Sequence, residues 1–351
     1  GLSLGAARLL AIKGVTLFGV LLVSLLLVIV VLGATGVSDR MMGSIVNEEV
    51  RELRQSLALT IRDPIELERV VLAEREQLVE FYGLDNPWYT RLPDMVWRIL
   101  RLDLGSARTL KSFSGSTRVS DIVLERLPNT VILVTTALAI SSVLGLYIGV
   151  KLATRVGTTL DRGVSYISAA SYALPSWWVG IIFIMILSFQ FHIFPFGGIT
   201  SAPVPSGFLN RTLDIIWHAT LPIITLTLAS VGSWAYVVRT MVLNTAQEDF
   251  VTVARAKGLP ENKIMNRHII RVAAPPIVTN LVLGLTASFG GAILTETVFN
   301  WPGMGRLYYD AIFALDENVI VALTFIFTLL YVCARFILEV LYILLDPRVR
   351  Y

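Results

Sequence analysis

The stretch GVTLFGVLLVSLLLVIVVLGA, residues 14–34, contains no charged side chain and is long enough to cross a lipid bilayer as a single helix. A helix crosses the hydrocarbon core with about 20 consecutive apolar residues. The apolar core of a secretory signal peptide is shorter, and no convincing cleavage site follows this run. We therefore interpret residues 14–34 as the first membrane span.

Further charge-free windows of similar size follow along the chain. The composition agrees with them, because 55% of the 351 residues are hydrophobic and only 16% are charged, far from the average of soluble proteins. The charge-free windows are residues 128–150, residues 164–189, and the stretches between Asp214 and Arg239 and between Arg271 and Glu296. A last apolar run, residues 319–345, contains two charged residues. The sequence thus predicts an all-α, polytopic membrane protein with six transmembrane helices.

The short loops differ sharply in their content of Lys and Arg. Thirteen such residues fall on one side of the predicted spans, whereas the short loops of the other side carry only Arg211 and Arg306. Cations in short loops resist translocation and therefore mark the cytoplasmic side. We expect a multi-pass protein of the cell membrane with both termini cytoplasmic.

Residues 35–126 are rich in charge of both signs and form a predicted external insertion. Its apolar residues recur at helical spacing, and Pro64 suits the first turn of a helix with Asp63 as its N-cap. Trp88 and Trp97 lie among cations, as is typical of a membrane surface. The insertion is either a helical subdomain packed on the spans or a docking platform for a partner. The remaining domains are residues 1–34 with the first span, a five-helix core at 127–345 with a loop at 239–275, and a tail at 346–351.

Motifs for covalent chemistry are scarce. The sequence has no glycine-rich phosphate loop ending in Gly-Lys-Ser/Thr, so we expect no ATP site in this chain. His192, His218 and His268 are isolated, which predicts no metal site. Cys333 is expected to be a small buried hydrophobe. The net charge of +3 is too small to indicate nucleic-acid binding, and we predict neither enzymatic activity nor a cofactor in the chain itself.

Three charged residues lie within or at the end of predicted spans. Arg335 and Glu339 are four residues apart on one helix and are expected to pair with each other. Glu296 lies near the outer end of the fifth span. It could reach water, accept hydrogen bonds from a cluster of backbone N–H groups, or contact a substrate.

The stretch FVTVARAKGLPENKIMNRHIIRV, residues 250–272, interrupts the apolar sequence with small residues and cations. Gly258 and Pro260 break the chain direction, which predicts two short helices at the cytoplasmic surface. The second of these is amphipathic, with apolar residues on one face and cations on the other. The apolar residues are Ile264, Met265, Ile269 and Ile270, and the cations are Lys263, Arg267 and Arg271.

The stretch ARAKGL at residues 254–259, followed by Arg267-His268, Arg271 and Pro276, resembles the cytoplasmic signature of ATP-binding-cassette (ABC) importer permeases of the oligopeptide/dipeptide branch. Where the broader family has Glu-Ala-Ala, this sequence has Thr252, Val253 and Ala254. Four further stretches resemble the same branch. They are GLDNPWYTRLPDMVWRILRLDLG (83–105), RLPNTVIL (126–133), ETVFNWPGMGRLYYDAI (296–312) and LLDPRVRY (344–351).

This resemblance implies a heteromeric importer and a role for each signature. The expected partners are a second homologous permease, two cytoplasmic ATP-binding subunits that hold ATP and Mg, an external solute-binding protein and the lipid bilayer. The expected ATPase-coupling residues are Thr252, Ala254, Arg255, Ala256, Lys257, Gly258 and Leu259. Residues of an external gate loop are Trp301, Pro302, Gly303 and Gly305. Candidates for the substrate path are Tyr172, Trp177, Trp178 and Glu296, although the aromatic residues could equally face lipid or a protein interface.

The cargo of such a permease is not readable from these residues. Di- and oligopeptides are the first expectation on frequency within the family, with oligosaccharides or nickel complexes as alternatives. A secondary transporter or channel would also have six spans, but it should carry intramembrane ionisable residues and an internal repeat. A membrane-embedded enzyme would need an assembled catalytic set, which the sequence does not contain.

Overall fold

All regular secondary structure is helical in the part of the protein that its structure, a computed structural model, describes. That part comprises residues 4–345, without the side chains of residues 4–7, 160, 172 and 342–345. Within it no strand forms, and Ser106 and Arg118 make an isolated antiparallel bridge. The predicted all-α class is confirmed.

Four helices form the first part of the chain. The N-cap that the sequence predicts is present at the start of the third. Asp63 accepts a hydrogen bond from the backbone N–H of Ile65 at 3.0 Å, with Pro64 in the first turn, as predicted. The elements are α1 (Leu4–Ala34), α2 (Val37–Leu57), α3 (Pro64–Phe81), a 3₁₀ turn (Trp88–Thr90) and α4 (Leu92–Leu100).

Eleven helices follow, and three short π-helical segments interrupt them. The helices are α5 (Val119–Thr130), α6 (Thr136–Ala153), α7 (Thr159–Ala173), α8 (Ser176–Phe183), α9 (Phe208–Ala246), α10 (Asp249–Ala256), α11 (Glu261–Ile264), α12 (Ile270–Ser288), α13 (Ile293–Val298), α14 (Met304–Phe313) and α15 (Glu317–Leu345). The π segments are Val131–Thr135, Ile184–Gln190 and Met265–Ile269.

Five helices of the described part are long and apolar enough to cross a membrane, and a sixth span results if α7 and α8 are counted as one. Residues 164–189 do not form the single helix expected from the sequence, because α7 and α8 meet at a bend of 92°. Leu174 precedes Pro175 and adopts an extended conformation, since the proline ring disfavours a helical residue before it. The five spans are Arg8–Ala34, Val119–Ala153, Phe208–Ala246, Glu261–Ser288 and Glu317–Leu341.

The basic stretch after Gly258 also differs from the prediction of two short surface helices. Only α10 is a separate short helix. The second one, α11, continues through a π-helical segment into α12 and forms the start of a span of 28 residues. Ile264 and Ile269 are fully buried, so the amphipathic pattern reflects packing against neighbouring helices.

Contacts divide the chain into two units, Gly1–Ile122 with Asp310–Val332, and Val123–Tyr309 with Cys333–Tyr351. The core of the first unit joins α1, α4 and the beginning of α15. The second unit has two buried clusters, one around the end of α9 with α10 and α12, and one around Leu133, Leu221 and Trp301.

Glycines allow α6 and α9 to pack in close contact in the second unit. A Cβ atom placed on Gly149 would lie 2.7 Å from the carbonyl oxygen of Ala235 and from Cβ of Val238. Gly145, one helical turn earlier, faces Trp234 and Ala235 in the same way. Small residues four apart are a common means of close helix association in membranes.

An ion pair between α7 and α9 was not predicted from the sequence. The guanidinium of Arg239 donates two hydrogen bonds to the carboxylate of Asp161, at 2.7 and 2.8 Å. Asp161 is buried and also accepts a hydrogen bond from the backbone N–H of Gly157. Such a bidentate pair fixes the geometry of both helices.

The structure confirms one expectation for α15 and corrects another. Arg335 and Glu339 form the expected ion pair, with 3.3 Å between Nη2 and Oε1. Cys333, however, is exposed rather than buried. Ala334 and Leu338 face the interior of the protein, and Cys333 lies on another face of the same helix.

Candidate functional site

The helix α10 ends in a glycine turn that reverses the chain. Gly258 has a φ of 74°, a left-handed conformation that residues with a side chain rarely adopt. Its N–H donates to the carbonyl of Arg255 at 2.9 Å, and the N–H of Leu259 donates to the carbonyl of Ala254 at 3.3 Å. These two hydrogen bonds form a Schellman motif, which satisfies carbonyl groups at the end of the helix.

One face of α10 anchors the helix to the spans. Val251 is fully buried and Ala254 is 6% exposed, in a cluster that includes Val238 and Val242 of α9 and Ala273 of α12. Leu259, after the turn, packs against the same cluster. The short helix therefore has a fixed position on the second unit.

The other face of α10 is open to contact. Val253 is 52% exposed and Phe250 is 38% exposed although both are apolar, and they share this surface with Arg255 and Lys257. We call the exposed face of this helix and its turn the α10 face. It consists of Phe250, Thr252, Val253, Arg255, Ala256, Lys257 and Gly258.

An ion pair joins α10 to the helix that follows it. Arg255 donates to Glu261 through Nε at 2.8 Å and through Nη2 at 3.4 Å, across the turn at Gly258. The hydrogen bond to Glu261 raises the pKa of the Arg255 guanidinium. Because α11 continues into α12, the pair connects α10 with a membrane span.

The structure separates the residues predicted to couple to an ATPase into two groups. Thr252, Arg255, Ala256, Lys257 and Gly258 are exposed on the α10 face. Ala254 is buried, so its small side chain permits packing on the spans rather than the approach of another protein. Leu259 is half-buried and belongs with the anchoring group.

A second polar site surrounds the buried carboxylate of Glu296. Its Oε1 accepts hydrogen bonds from the hydroxyl of Thr130 at 3.1 Å and from the N–H of Ala292 at 3.3 Å. Its Oε2 accepts the N–H of Arg306 at 2.9 Å, and the N–H of Met304 donates to Thr130 at 2.7 Å. We call this group the Glu296 cluster. It satisfies the free N–H groups in the first turn of α14.

Glu296 lies outside the candidate spans, and its burial determines the direction of its pKa shift. The side chain has no exposed surface. Burial raises the pKa of its carboxyl group, and the surrounding N–H and hydroxyl donors oppose this rise. Of the three alternatives for Glu296, the structure places the carboxylate in a cluster of backbone N–H groups, with no atom accessible to a substrate in this conformation.

The predicted gate-loop residues are largely buried around this cluster. Trp301 has no exposed surface, and its indole N–H donates to the carbonyl of Asn129 at 2.9 Å, while the Asn129 amide donates to the carbonyl of Pro302 at 2.8 Å. A Cβ on Gly303 would lie 2.5 Å from Oε2 of Glu296. Gly305 is equally confined, since a Cβ there would lie 2.8 Å from the backbone nitrogen of Ile293.

The aromatic candidates for a substrate path lie around the bend between α7 and α8, and α8 packs against the segment that carries Glu296. Trp177 is half-buried and Trp178 is 44% exposed. The side chain of Tyr172 lies outside the described residues. The hydroxyl of Ser176, beside Trp177, and that of Thr295, beside Glu296, share a hydrogen bond of 2.9 Å. The role of the aromatic residues as substrate contacts stays a prediction.

Thr130, which bonds to Glu296, and Asn129, which bonds to Trp301 and Pro302, were not predicted from the sequence as partners of these residues. Both belong to RLPNTVIL, one of the stretches that resemble importer permeases, and their position within a recurring motif was the available signal. Among the described residues, no group of three or more His, Cys, Asp or Glu side chains is arranged to hold a metal ion.

Comparison with known proteins identifies relatives along most of the chain. The sequence model for the binding-protein-dependent transport system inner membrane component matches residues 141–351. The chain is 32% identical to the oligopeptide transport system permease protein AppB of Bacillus subtilis, over 81% of this chain and 87% of that protein. It is 30% identical to the di/tripeptide transport system permease protein DppB of Pseudomonas aeruginosa, over 82% and 90%. It is also 30% identical to the peptidoglycan transport system permease protein YejB of Agrobacterium fabrum, over 78% and 75%.

Proposed function

The chain belongs to the family of binding-protein-dependent transport system inner membrane components, and on this premise we propose that it is the permease subunit of an ATP-driven peptide importer. Its partners in this proposal are a second related permease, two ATPase subunits that hold ATP and Mg, and an external solute-binding protein. The chain itself catalyses no covalent step. It provides half of a pathway through the bilayer.

The observation that carries the proposal is the α10 face. A free helix of eight residues would be unstable in water, whereas α10 is fixed by Val251, Ala254 and the Schellman turn. A partner protein that binds α10 can therefore displace the helix without unfolding it. The apolar surface that Phe250 and Val253 expose together, one turn apart on α10, supports a protein partner for this face.

The connection from α10 to α12 supports a coupling mechanism. The turn at Gly258 and the pair between Arg255 and Glu261 lead directly into a helix of 28 residues. When two ATPases close on ATP, a displacement of α10 would tilt this span as a rigid body. The transporter alternates between inward-open and outward-open states because the ATPases contact α10 differently in each.

The pathway for cargo is best placed among α6, α9 and α12. A cavity of about 230 Å³ there is lined only by uncharged side chains, among them Leu138, Leu226, Ser230 and Ser288. A cavity lined by uncharged side chains can accept peptides with varied side chains and does not select among them by charge. Two relatives carry names that refer to oligopeptides or di/tripeptides, which supports peptides ahead of oligosaccharides or nickel complexes.

Coupling is tested by placing a charge on the α10 face. In the assembled transporter, Val253→Arg should lower ATP hydrolysis stimulated by the binding protein by about tenfold or more, because a buried uncompensated charge weakens an interface strongly. Val156→Arg is the matched control, since Val156 is 57% exposed and Val253 is 52% exposed. Full stimulation with Val253→Arg, or equal loss in the control, would contradict the coupling role.

Cargo is tested separately in proteoliposomes that contain the transporter and its binding protein. Uptake of labelled peptides should require ATP and should exceed uptake of labelled oligosaccharides of similar mass. Uptake of oligosaccharides alone would overturn the peptide assignment and leave the coupling proposal intact. Uptake that follows an ion gradient without ATP would instead indicate a secondary transporter.

A further inference from the structure

The amphipathic helix α4 lies beside the end of the first span. Its Met95 and Ile99 are buried in one cluster with Leu25 and Ile29 of α1. Just before α4, the ring of Trp88 packs against Gly33, which is next to the last residue of α1. Because α1 is a candidate span that ends at Ala34, the contact between Trp88 and Gly33 puts the start of α4 near the expected boundary between hydrocarbon and lipid headgroups.

A cavity of about 610 Å³ opens along this helix. Its lining includes Arg91, Asp94, Trp97, Arg98, Arg108 and Asn318. Three guanidinium groups and one carboxylate thus face the same space. A cavity of this size accommodates a small organic group rather than a single ion.

Two of the three arginines, Arg91 and Arg108, differ in their hydrogen-bond partners. Arg91 is paired with Asp39 and also donates to the carbonyl of Tyr82. Arg108 contributes a backbone N–H to the carboxylate of Asp316, but its Nη1 is buried without a hydrogen-bond partner among the described residues. A buried guanidinium N–H that lacks an acceptor is unfavourable, and a bound anion would satisfy it.

Carboxylates restrict the direction from which an anion can reach Arg108. On its other side, Arg108 lines a cavity of about 310 Å³ together with Glu48, Glu49 and Glu52. This acidic wall repels anions. The accessible approach is therefore the α4 side, where Arg98 lies and Asp94 is the single carboxylate of the lining.

The rim of the cavity carries the signature of a bilayer interface. Trp97 is 58% exposed, and the guanidinium of Arg101 lies 4.5 Å from the centre of its ring. Tryptophan and arginine side chains together favour the boundary between acyl chains and headgroups.

We propose that this cavity binds the headgroup of an anionic phospholipid. Arg98 and Arg108 donate hydrogen bonds to the phosphate, and Trp97 packs against the glycerol end of the acyl chains. Guanidinium groups suit this role because their planar donors match two phosphate oxygens at once. The site concerns the first unit alone and does not depend on what the transporter carries.

The proposal is tested by lipid retention in native mass spectrometry of the assembled, detergent-solubilised transporter. Phosphatidylglycerol should be retained more than phosphatidylcholine of the same acyl chains. The double substitution Arg98→Gln with Arg108→Gln should lower phosphatidylglycerol retention by about tenfold, since each arginine contributes to the attraction of anionic lipid. Inorganic phosphate at millimolar concentration should not displace the lipid.

A matched control is the pair Arg62→Gln with Arg69→Gln, which removes the same charge from exposed positions in and before α3. It should leave lipid retention unchanged. If the first pair fails to assemble, Arg98→Lys with Arg108→Lys replaces it and should still reduce retention by about threefold, because lysine lacks the planar fork. Equal retention of the two lipids, an unaffected arginine pair, or displacement by phosphate would overturn the proposal.

Discussion

A single methyl group at Gly303 would collide with two polar atoms at the centre of the Glu296 cluster. The added Cβ would lie 2.5 Å from both Oε2 of Glu296 and Oγ1 of Thr130. We expect Gly303→Ala to destabilise the folded protein by about 1–3 kcal/mol, the usual cost of overpacking. The measurement is the thermal unfolding temperature of the purified chain in detergent.

Gly43→Ala is the control for this substitution. Gly43 lies within α2, and no atom lies within 4 Å of the position that its Cβ would occupy. The control should unfold at the wild-type temperature or slightly above it, because alanine favours helix more than glycine does. Equal unfolding temperatures for both variants would show that the cluster tolerates the added atom.

Residues with local partners were predictable from the sequence, and residues with distant partners were not. Asp63 caps a helix that begins at the next residue, and Arg335 pairs with Glu339 one turn away on the same helix. The partners of Glu296 include Thr130, which is 166 residues away. A single sequence contains no information on which of many buried hydroxyls will meet a given carboxylate.

At the scale of elements, the contact between α6 and α9 depends on Gly149. We expect Gly149→Ala to separate the two helices and to lower stability by about 1–3 kcal/mol, since its Cβ would meet the backbone of Ala235 at 2.7 Å. Gly284→Ala on α12 is the comparison, because the nearest atom there is 3.6 Å away. The loss of unfolding temperature should be confined to the first variant.

The boundaries of elements were predicted less well than their existence. Charge-free windows located the spans, because hydrocarbon excludes charge whatever the packing is. The bend before Pro175 was missed since a proline can be accommodated within a span, as Pro222 is within α9. The continuity of α11 with α12 was missed because cations at the end of a long helix resemble those of a separate surface helix.

At the scale of the whole molecule, the proposed orientation places the α10 face in the cytoplasm and the hairpin of α2 and α3 outside. Gln55 and Lys257 are both exposed and mark the two sides. In a Cys333→Ser background, Gln55→Cys should react with a membrane-impermeant maleimide on intact cells. Lys257→Cys should react only after permeabilisation. The reverse pattern of labelling would contradict the orientation.

The fold class and the family membership followed from the sequence, and the candidate site followed in part. The stretch ARAKGL indicated the position of α10, and the turn at Gly258 was predicted from its glycine. The division into an anchoring face and an exposed face needed the structure, because Ala254 and Ala256 are chemically identical and only one of them is buried.

The wide sequence separation between the partners in the Glu296 cluster has a consequence for the synthesis of the chain. Thr130 leaves the ribosome 166 residues before Glu296. At about 5–20 residues per second, this interval lasts on the order of ten to thirty seconds. During that time α5 must reside in the membrane without the carboxylate that its hydroxyl later meets. Any factor that shields the polar groups of incompletely synthesised membrane proteins from lipid would therefore act on this chain before residue 296 is synthesised.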